Sequence, residues 1–404
     1  MAAVGIVAEF NPFHYGHKYL FDSIRRDFSE DAAIVCAMSG SAVQRGELAV
    51  FGKYARAEAA VRCGADLVLE LPCPWSLASA EGFARAGVSL LEKTGVVDAL
   101  CFGSECGDTS TIRETARQLL RPEMDVLIRG YLAEGHSYAR ARQLALESLT
   151  GSSAELLVQP NNILAVEYAK AVLASGCGLA LHTVRRAGAG HDDSRGGEMP
   201  SASYIRQALR TGTELTALLP EGAALPLKGE EPLFPEKIEQ ALLSRLLLLG
   251  REECRKLPGA GDGLGDRLYA AIKSCPSLED IFAASKTKRH AMSRIRRTVM
   301  CAALGITCED MAGEIPYIKT LAVSARGRAL LRKMRKSASL PVLVRPSAVR
   351  GLPDNALRTF ELESGASDLR ALGHRSAEKR IPSSDWRAGP YVGDGGVCAK
   401  KPEI

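Results

Sequence analysis

The sequence predicts an α/β protein: a Rossmann-like parallel sheet over residues 1–218, followed by a mainly α-helical basic region over 236–372. Three observations predict it. Short apolar runs alternate with helical patterns through the first half, the rhythm of parallel strands joined by helical crossovers. A stretch rich in Pro, Gly and Glu, 219–235, then reads as a linker. Beyond it the patterns are mainly helical, with two long basic runs that contain no acid. A chain of 404 residues fits two or three domains. Its 46% hydrophobic and 25% charged content is ordinary for a globular protein.

The elements follow in order. Ala2–Phe10 is an apolar, strand-like run, and a helix is expected from about Gly16 to Arg26. Ala32–Met38 is a second strand. Lys53–Cys63 mixes Ala with charges and reads as a helix. Asp66–Leu71 is a third strand, Ser76–Lys93 a helix and Ala99–Gly103 a fourth strand. A helical stretch from Arg113 to Ala174 precedes a fifth strand, Leu179–Val184. After the loop Gly188–Pro200, Ser201–Arg210 is a helix. The second half offers helices at Glu236–Leu249, Gly265–Ser274 and Lys286–Leu304. Short strands at Ile315–Val323 and Leu340–Val344 flank a basic helix, Ala325–Lys336. The tail, 373–404, has the polar, Gly- and Pro-containing composition of a poorly ordered end.

Composition narrows the function classes. The 11 cysteines form no C-x-x-C pair and no Cys/His cluster with zinc spacing, so free thiols in a reducing cytoplasm are expected. The N-terminus has no signal-peptide pattern, and the apolar runs are shorter than a membrane span. A net charge of +5 permits an anionic partner without requiring one.

In parallel α/β sheets, ligands collect beyond the carboxyl ends of the strands. The loop after the first strand is Asn11-Pro12-Phe13-His14-Tyr15-Gly16-His17. A helix starting at Gly16 presents free backbone N–H groups and a positive dipole end to a phosphate. His14 and His17 can donate hydrogen bonds to phosphate oxygens and stabilise charge as phosphorus is attacked. Gly16 allows close backbone approach, and Pro12 stiffens the turn. H-x-G-H alone would describe two surface histidines in a turn. Its place between a strand and a helix, in the first crossover, points instead to nucleotidyl transfer from ATP. Ser201-Ala202-Ser203-Tyr204-Ile205-Arg206 opens a later helix. Ser201 or Ser203 fits an N-cap, or, with Arg206, a phosphate-binding helix start.

These residues resemble the HxGH-type nucleotidyltransferases, and one branch closely, the tRNA(Met) cytidine acetate ligases. The resembling segments run in the same order over about three quarters of the chain: Val4–His17, Met38–Ala49, Asp66–Pro72, Phe102–Asp108, Pro160–Leu164, Arg186–Asp192, Ser201–Arg206 and Lys286–Arg297. The sequence departs from the pattern at Tyr15, where Asn is usual, at Ser203-Tyr204, where Thr-Ser is common, and at His191, one place after an expected tyrosine. The resemblance implies that acetate attacks the α-phosphate of ATP, giving acetyl-adenylate and pyrophosphate. The N4 amine of the wobble cytidine of elongator tRNA(Met) then takes the acetyl group and AMP leaves. It implies ATP contacts at Val7, Ala8, Glu9, Phe10, Asn11, Pro12, Phe13, His14, Tyr15, Gly16, His17, Lys18, Tyr19 and Leu20, then at Gly103, Asn162, Arg186 and Ala187. Asn162 equally fits an N-cap. Mg²⁺ is expected with ATP, although no carboxylate cluster marks a metal site. Gln44 and Arg45 follow the second strand, where Arg45 suits either acetate or RNA phosphate, or simply a solvated loop.

Lys286, Lys288, Arg289, Arg294, Arg296 and Arg297 form one acid-free run, and 319–350 is another. Such runs usually mark a solvated face. Two of them in a chain of small net charge suggest a footprint for tRNA phosphates, with single-stranded anticodon bases giving sequence choice. The competing readings are a small-molecule adenylyltransferase and an RNA-binding protein with a relic nucleotide site.

Overall fold

Ten strands form among the described residues: β1 (Ala3–Ala8), β2 (Ala33–Ser39), β3 (Ala42–Val43), β4 (Glu47–Leu48), β5 (Leu67–Leu71), β6 (Ala99–Ser104), β7 (Ala180–Arg185), β8 (Ile318–Val323), β9 (Val342–Leu343) and β10 (Tyr391–Val392). The structure is a computed structural model that describes residues 2–151, 154–186 and 199–393. The main sheet has the order β10-β8-β5-β2-β1-β6-β7, with β9 beside β8, while β3 and β4 form a separate hairpin. The five main-sheet strands of the first half, β1, β2, β5, β6 and β7, are mutually parallel. The chain builds outward from β1 to β2 and β5, then returns to add β6 and β7 on the other side. The crevice beyond β1 is therefore the switch point at which ligands bind.

β2 and β5 are buried along their whole length. That is why they read as unbroken apolar runs rather than as alternating ones. Val35, Ala37 and Leu69 enter one core layer, and Ile34, Cys36 and Val68 enter the other. The helical stretch expected over 113–174 is four helices, Thr109–Leu119, Pro122–Ala133, Tyr138–Thr150 and Pro160–Ser175. Pro122 and Pro160 open two of them. Gly135 and Gly151 supply the positive φ that follows the second and third of them.

The second half departs from a detached helical unit. β8 pairs antiparallel with β5, and β10 pairs with β8, so both extend the N-terminal sheet. The stretch 219–235 contains the helix Glu221–Leu227, whose Ala223, Ala224 and Leu227 share a core with Ala57 and Ala60. Apolar spacing of three and four hid inside a Pro/Gly-rich composition there. Lys286–Ala291 is a loop, and its helix begins at Met292. The tail is placed as far as Gly393, and residues 394–404 lie outside the described residues. No helix among the described residues is long and apolar enough to cross a membrane.

A cluster of buried charges makes this junction. Lys53 contacts Glu70 at 2.6 Å, Glu363 at 3.0 Å and Asp385. Lys319 lies 3.0 Å from Glu70 and 3.8 Å from Asp385. Burial opposes the charge on Lys53, yet Asp385, Glu363 and Glu70 together hold its pKa well above the ordinary value. Burial pushes the pKa of Glu70 up, while the nearby Lys319 and Lys53 ammoniums pull it back down. The three acids are near enough to hold a cation, and the two lysines supply that positive charge.

Removing one partner strands buried charge, so Lys53→Ala should lower stability by about 3–5 kcal/mol, read as a shift in the urea midpoint. A change below about 1 kcal/mol, the range of exposed pairs, would show that the cluster is not structural.

Candidate active site

The loop after β1 is bent by Phe10, whose φ of 44° lies in the left-handed region. An L-residue held there costs about 1–3 kcal/mol, so its surroundings must enforce it. Phe10 and Phe13 are fully buried, with ring centroids 5.1 Å apart, and both rings pack on His17. The helix Tyr15–Asp27 then starts with His14 as N-cap. Nδ1 of His14 accepts from the Gly16 N–H at 3.0 Å, and Nδ1 of His17 accepts from the His14 N–H at 3.2 Å. Backbone N–H groups can only donate, so each neutral ring carries its proton on Nε2. The ring centroids are 3.9 Å apart. A side chain at position 16 would meet the His14 ring at 2.9 Å, so glycine there permits the stacked pair. Burial, then His14 and Arg186, hold the pKa of His17 well below its usual value.

Both histidines face one cavity of about 200 Å³. Val7, Ala8, Glu9, Phe10 and Asn11 line it from β1 and its loop, with Gln44, Arg45 and Glu47 from the β3–β4 hairpin. Phe83, Asn161, Leu164 and Tyr168 form the opposite wall, and Arg186, Ser201, Ser203 and Arg206 complete it. Ser201 caps the helix Ala202–Arg210 by accepting from the Tyr204 N–H at 3.2 Å. Arg206 donates to the Asn11 carbonyl at 2.8 Å and to Ser203 Oγ at 3.3 Å. This ties the late helix to the first loop across 195 positions. Burial lowers the pKa of Arg186 and Arg206 and raises that of Glu9. Cations partly stripped of water, beside Nε2–H donors and two helix N-termini, are chemistry that suits a polyphosphate.

A family model for HIGH nucleotidyl transferases matches residues 1–384. The chain is 38% identical over 365 residues to a tRNA(Met) cytidine acetate ligase from Syntrophotalea carbinolica, covering 86% of each chain. It is 32% identical over 370 residues to one from Fervidobacterium nodosum, covering 88% of this chain and 87% of that one. The chain belongs to the tRNA(Met) cytidine acetate ligase family. Its fold is similar to crystal structures of Thermotoga maritima TmcAL. The apo form matches with TM-score 0.91 at 33% identity, covering 97% of this chain and 99% of that one. The form bound with alpha-thio ATP matches with TM-score 0.90 at 32% identity, with the same coverage.

Several expected ATP contacts stand apart from the cavity wall. Phe13 is fully buried beneath the loop, and Tyr15 points outward with 40% exposure. Tyr19 and Leu20 pack on the core behind the helix, and Lys18 pairs with Asp22. Gly103 lies under Arg186, where a Cβ would touch the arginine stem at 3.4 Å. Asn162 accepts from the Glu105 and Cys106 N–H groups at 2.9 and 3.1 Å, so its side chain fixes the loop after β6. Its neighbour Asn161 lines the cavity and accepts from Arg186 at 3.4 Å. Ala187 and His191 lie outside the described residues. Glu47, Phe83, Leu164 and Tyr168 were not among the expected site residues. Leu164 and Tyr168 are four apart on one helix, a spacing that also describes an ordinary core face.

The basic run divides as well. Lys286, Lys288 and Arg289 are exposed in the loop before the helix Met292–Leu304. Arg294 is held by Asp262 at 3.1 Å and by the Gly259 carbonyl at 2.8 Å. Arg296 lies over Phe282, and Arg297 donates to the Gln44 carbonyl at 3.3 Å.

Because the folded pKa of His17 is depressed, acid binds the unfolded chain in preference. Its contribution to stability is therefore complete above about pH 6.5 and declines as pH falls toward the folded pKa. Imidazole ¹⁵N NMR should show His17 neutral and Nε2-protonated at pH 7 and at pH 6. A midpoint at or above 6.5 would contradict this.

Proposed function

We propose that the protein joins acetate to ATP as acetyl-adenylate and passes the acetyl group to N4 of the wobble cytidine of elongator tRNA(Met). The products are N4-acetylcytidine, AMP and pyrophosphate. The observation that carries the first step is the pair of Nε2–H imidazoles at a helix N-terminus, facing Arg186 and Arg206 across one cavity. A carboxylate oxygen of acetate bonds to the α-phosphorus, and the bond to the bridging oxygen breaks as pyrophosphate leaves. His14 and His17, as neutral donors, stabilise the charge gathering on the phosphoryl oxygens without giving up a proton. Arg186, Arg206, Ser201 and Ser203 hold the leaving pyrophosphate. Mg²⁺ would enter on the triphosphate itself. Arg45, which lines the same cavity, suits the acetate carboxylate.

The names of the similar proteins support tRNA(Met) as acceptor. So does the surface. Lys286, Lys288 and Arg289 are exposed, as are Arg328, Arg332, Lys333, Arg335 and Lys336 on the helix Ala325–Ser337. The ten described cysteines are free thiols, as a reducing cytoplasm would leave them.

Mass spectrometry of tRNA(Met) after incubation with ATP and labelled acetate tests the reading: one labelled acetyl group should appear on the wobble cytidine. Coupling of ATP to a small phosphorylated substrate without tRNA would replace it with a small-molecule adenylyltransferase. His14→Ala should abolish acetyl-adenylate formation and leave tRNA affinity within about threefold. Lys286→Ala with Arg289→Ala should leave adenylation intact and weaken tRNA binding. It should also flatten the salt dependence of log K by about one to two. Equal loss of both activities in both variants would overturn this division.

A further inference from the structure

The histidine cavity continues past the β3–β4 hairpin. A cavity of about 160 Å³ adjoins it and shares Ser203, Arg206 and Glu47. That one shares Glu47, Leu48 and Arg210 in turn with a third of about 490 Å³, between the hairpin and the C-terminal helices. The largest falls within the ~300–1,000 Å³ range of small-ligand clefts. Among the described residues, Glu47 alone lines all three. It pairs across the hairpin with Val43, and the turn residue Gly46, with φ of +81°, abuts the backbone of Arg296 and Arg297.

The chemistry of the large cavity is selective. Leu242, Val299 and Met300 give apolar walls, and the Arg296 guanidinium lies 5.7 Å from the Phe282 ring centroid. Aromatic faces and guanidinium planes are what splayed-out bases stack on. Four carboxylates line it, from Glu47, Glu236, Glu239 and Glu279. Glu236 is engaged by Arg210 at 2.9 Å, and Glu239 accepts the Leu278 N–H at 2.9 Å. Carboxylates repel phosphate and accept hydrogen bonds from amines. An apolar, acidic cavity with a stacking platform therefore suits a neutral base that carries an exocyclic amine.

We propose that this cavity receives the acceptor cytosine and that Glu47, where the cavities meet, takes the proton from N4 as it attacks the acetyl group. The inference rests on the acetyl-transfer reading above. The N4 lone pair is delocalised into the ring, so the amine attacks poorly unless its proton leaves as the new bond forms. N4 bonds to the acetyl carbon, and the bond from that carbon to the AMP phosphate oxygen breaks. AMP departs with the electron pair, and the proton goes to the Glu47 carboxylate and then to water. General base catalysis of this kind contributes about 10²–10⁴-fold.

The test separates the two half-reactions in the full-length protein. Pyrophosphate release with ATP and acetate reports adenylation. Single-turnover acetylation of tRNA(Met) from added acetyl-adenylate reports transfer. Glu47→Gln keeps size and polarity, so its fold can be checked by its melting curve. We expect transfer to fall by about 100-fold or more, and by at least tenfold more than any fall in adenylation. Phe282→Ala should raise KM for tRNA, with Phe282→Tyr restoring it through the retained ring. Equal losses in both half-reactions, or a transfer rate in Glu47→Gln within threefold of wild type, would overturn the proposal. Absence of acetate-dependent pyrophosphate release in the wild type would sink the underlying reading instead, and is seen before any variant is made.

Discussion

The carboxylate of Glu363 is the contact on which the placement of the site depends. It accepts from the Ser41 N–H at 2.6 Å, the Cys73 N–H at 2.9 Å and Lys53 at 3.0 Å. It lies so close over Gly40 that no side chain fits there. One acid from the helix Asp354–Ala371 thus holds the loops that leave β2 and β5. An ion pair this deep gains little net energy over apolar packing, because desolvation offsets the attraction. What it does here is specify geometry, since every misaligned arrangement leaves a buried charge without a partner.

Arg56 extends the same constraint toward the ligand. It is fully buried, and burial pushes its pKa down to about 10. Its guanidinium donates to the carbonyls of Phe51 at 3.0 Å, Ser39 at 3.2 Å, Glu9 at 2.5 Å and Gly40. The ends of β1 and β2 are thereby locked together. From there Glu9 accepts the Gln44 N–H at 2.7 Å, Asn11 accepts the Val50 N–H at 2.8 Å, and Arg297 reaches Gln44. The hairpin is gripped from the sheet on one side and from the helical region on the other. The proposed transfer from a small adenylate to a large RNA would need such a bridge, because its reacting atoms would belong to ligands held by different parts of the chain.

The two histidines show how local backbone order becomes chemistry. Their Nδ1 atoms cap the helix, which assigns the tautomer and turns Nε2–H into the donor. Protonating either ring would remove that acceptor, so the cap and the neutral state support each other. The depressed pKa of His17 is the electrostatic face of the same arrangement.

The sequence by itself determined the strand–helix rhythm, the position of the His14–His17 loop after the first strand, and the helix start at Ser201. These depend on local periodicity and on capping residues, which are written in consecutive positions. Tertiary structure alone decided that Ile318–Val323 completes the N-terminal sheet, that the polar tail is anchored through Asp385, and that Arg294 and Arg297 hold the fold together. It also decided that Asn161 rather than Asn162 lines the cavity, and that Glu47 stands where three cavities meet. A lysine, an arginine or a glutamate reads as solvated wherever it occurs in a chain. Only the partner brought to it from hundreds of residues away shows whether its charge is buried, paired or aimed at a ligand.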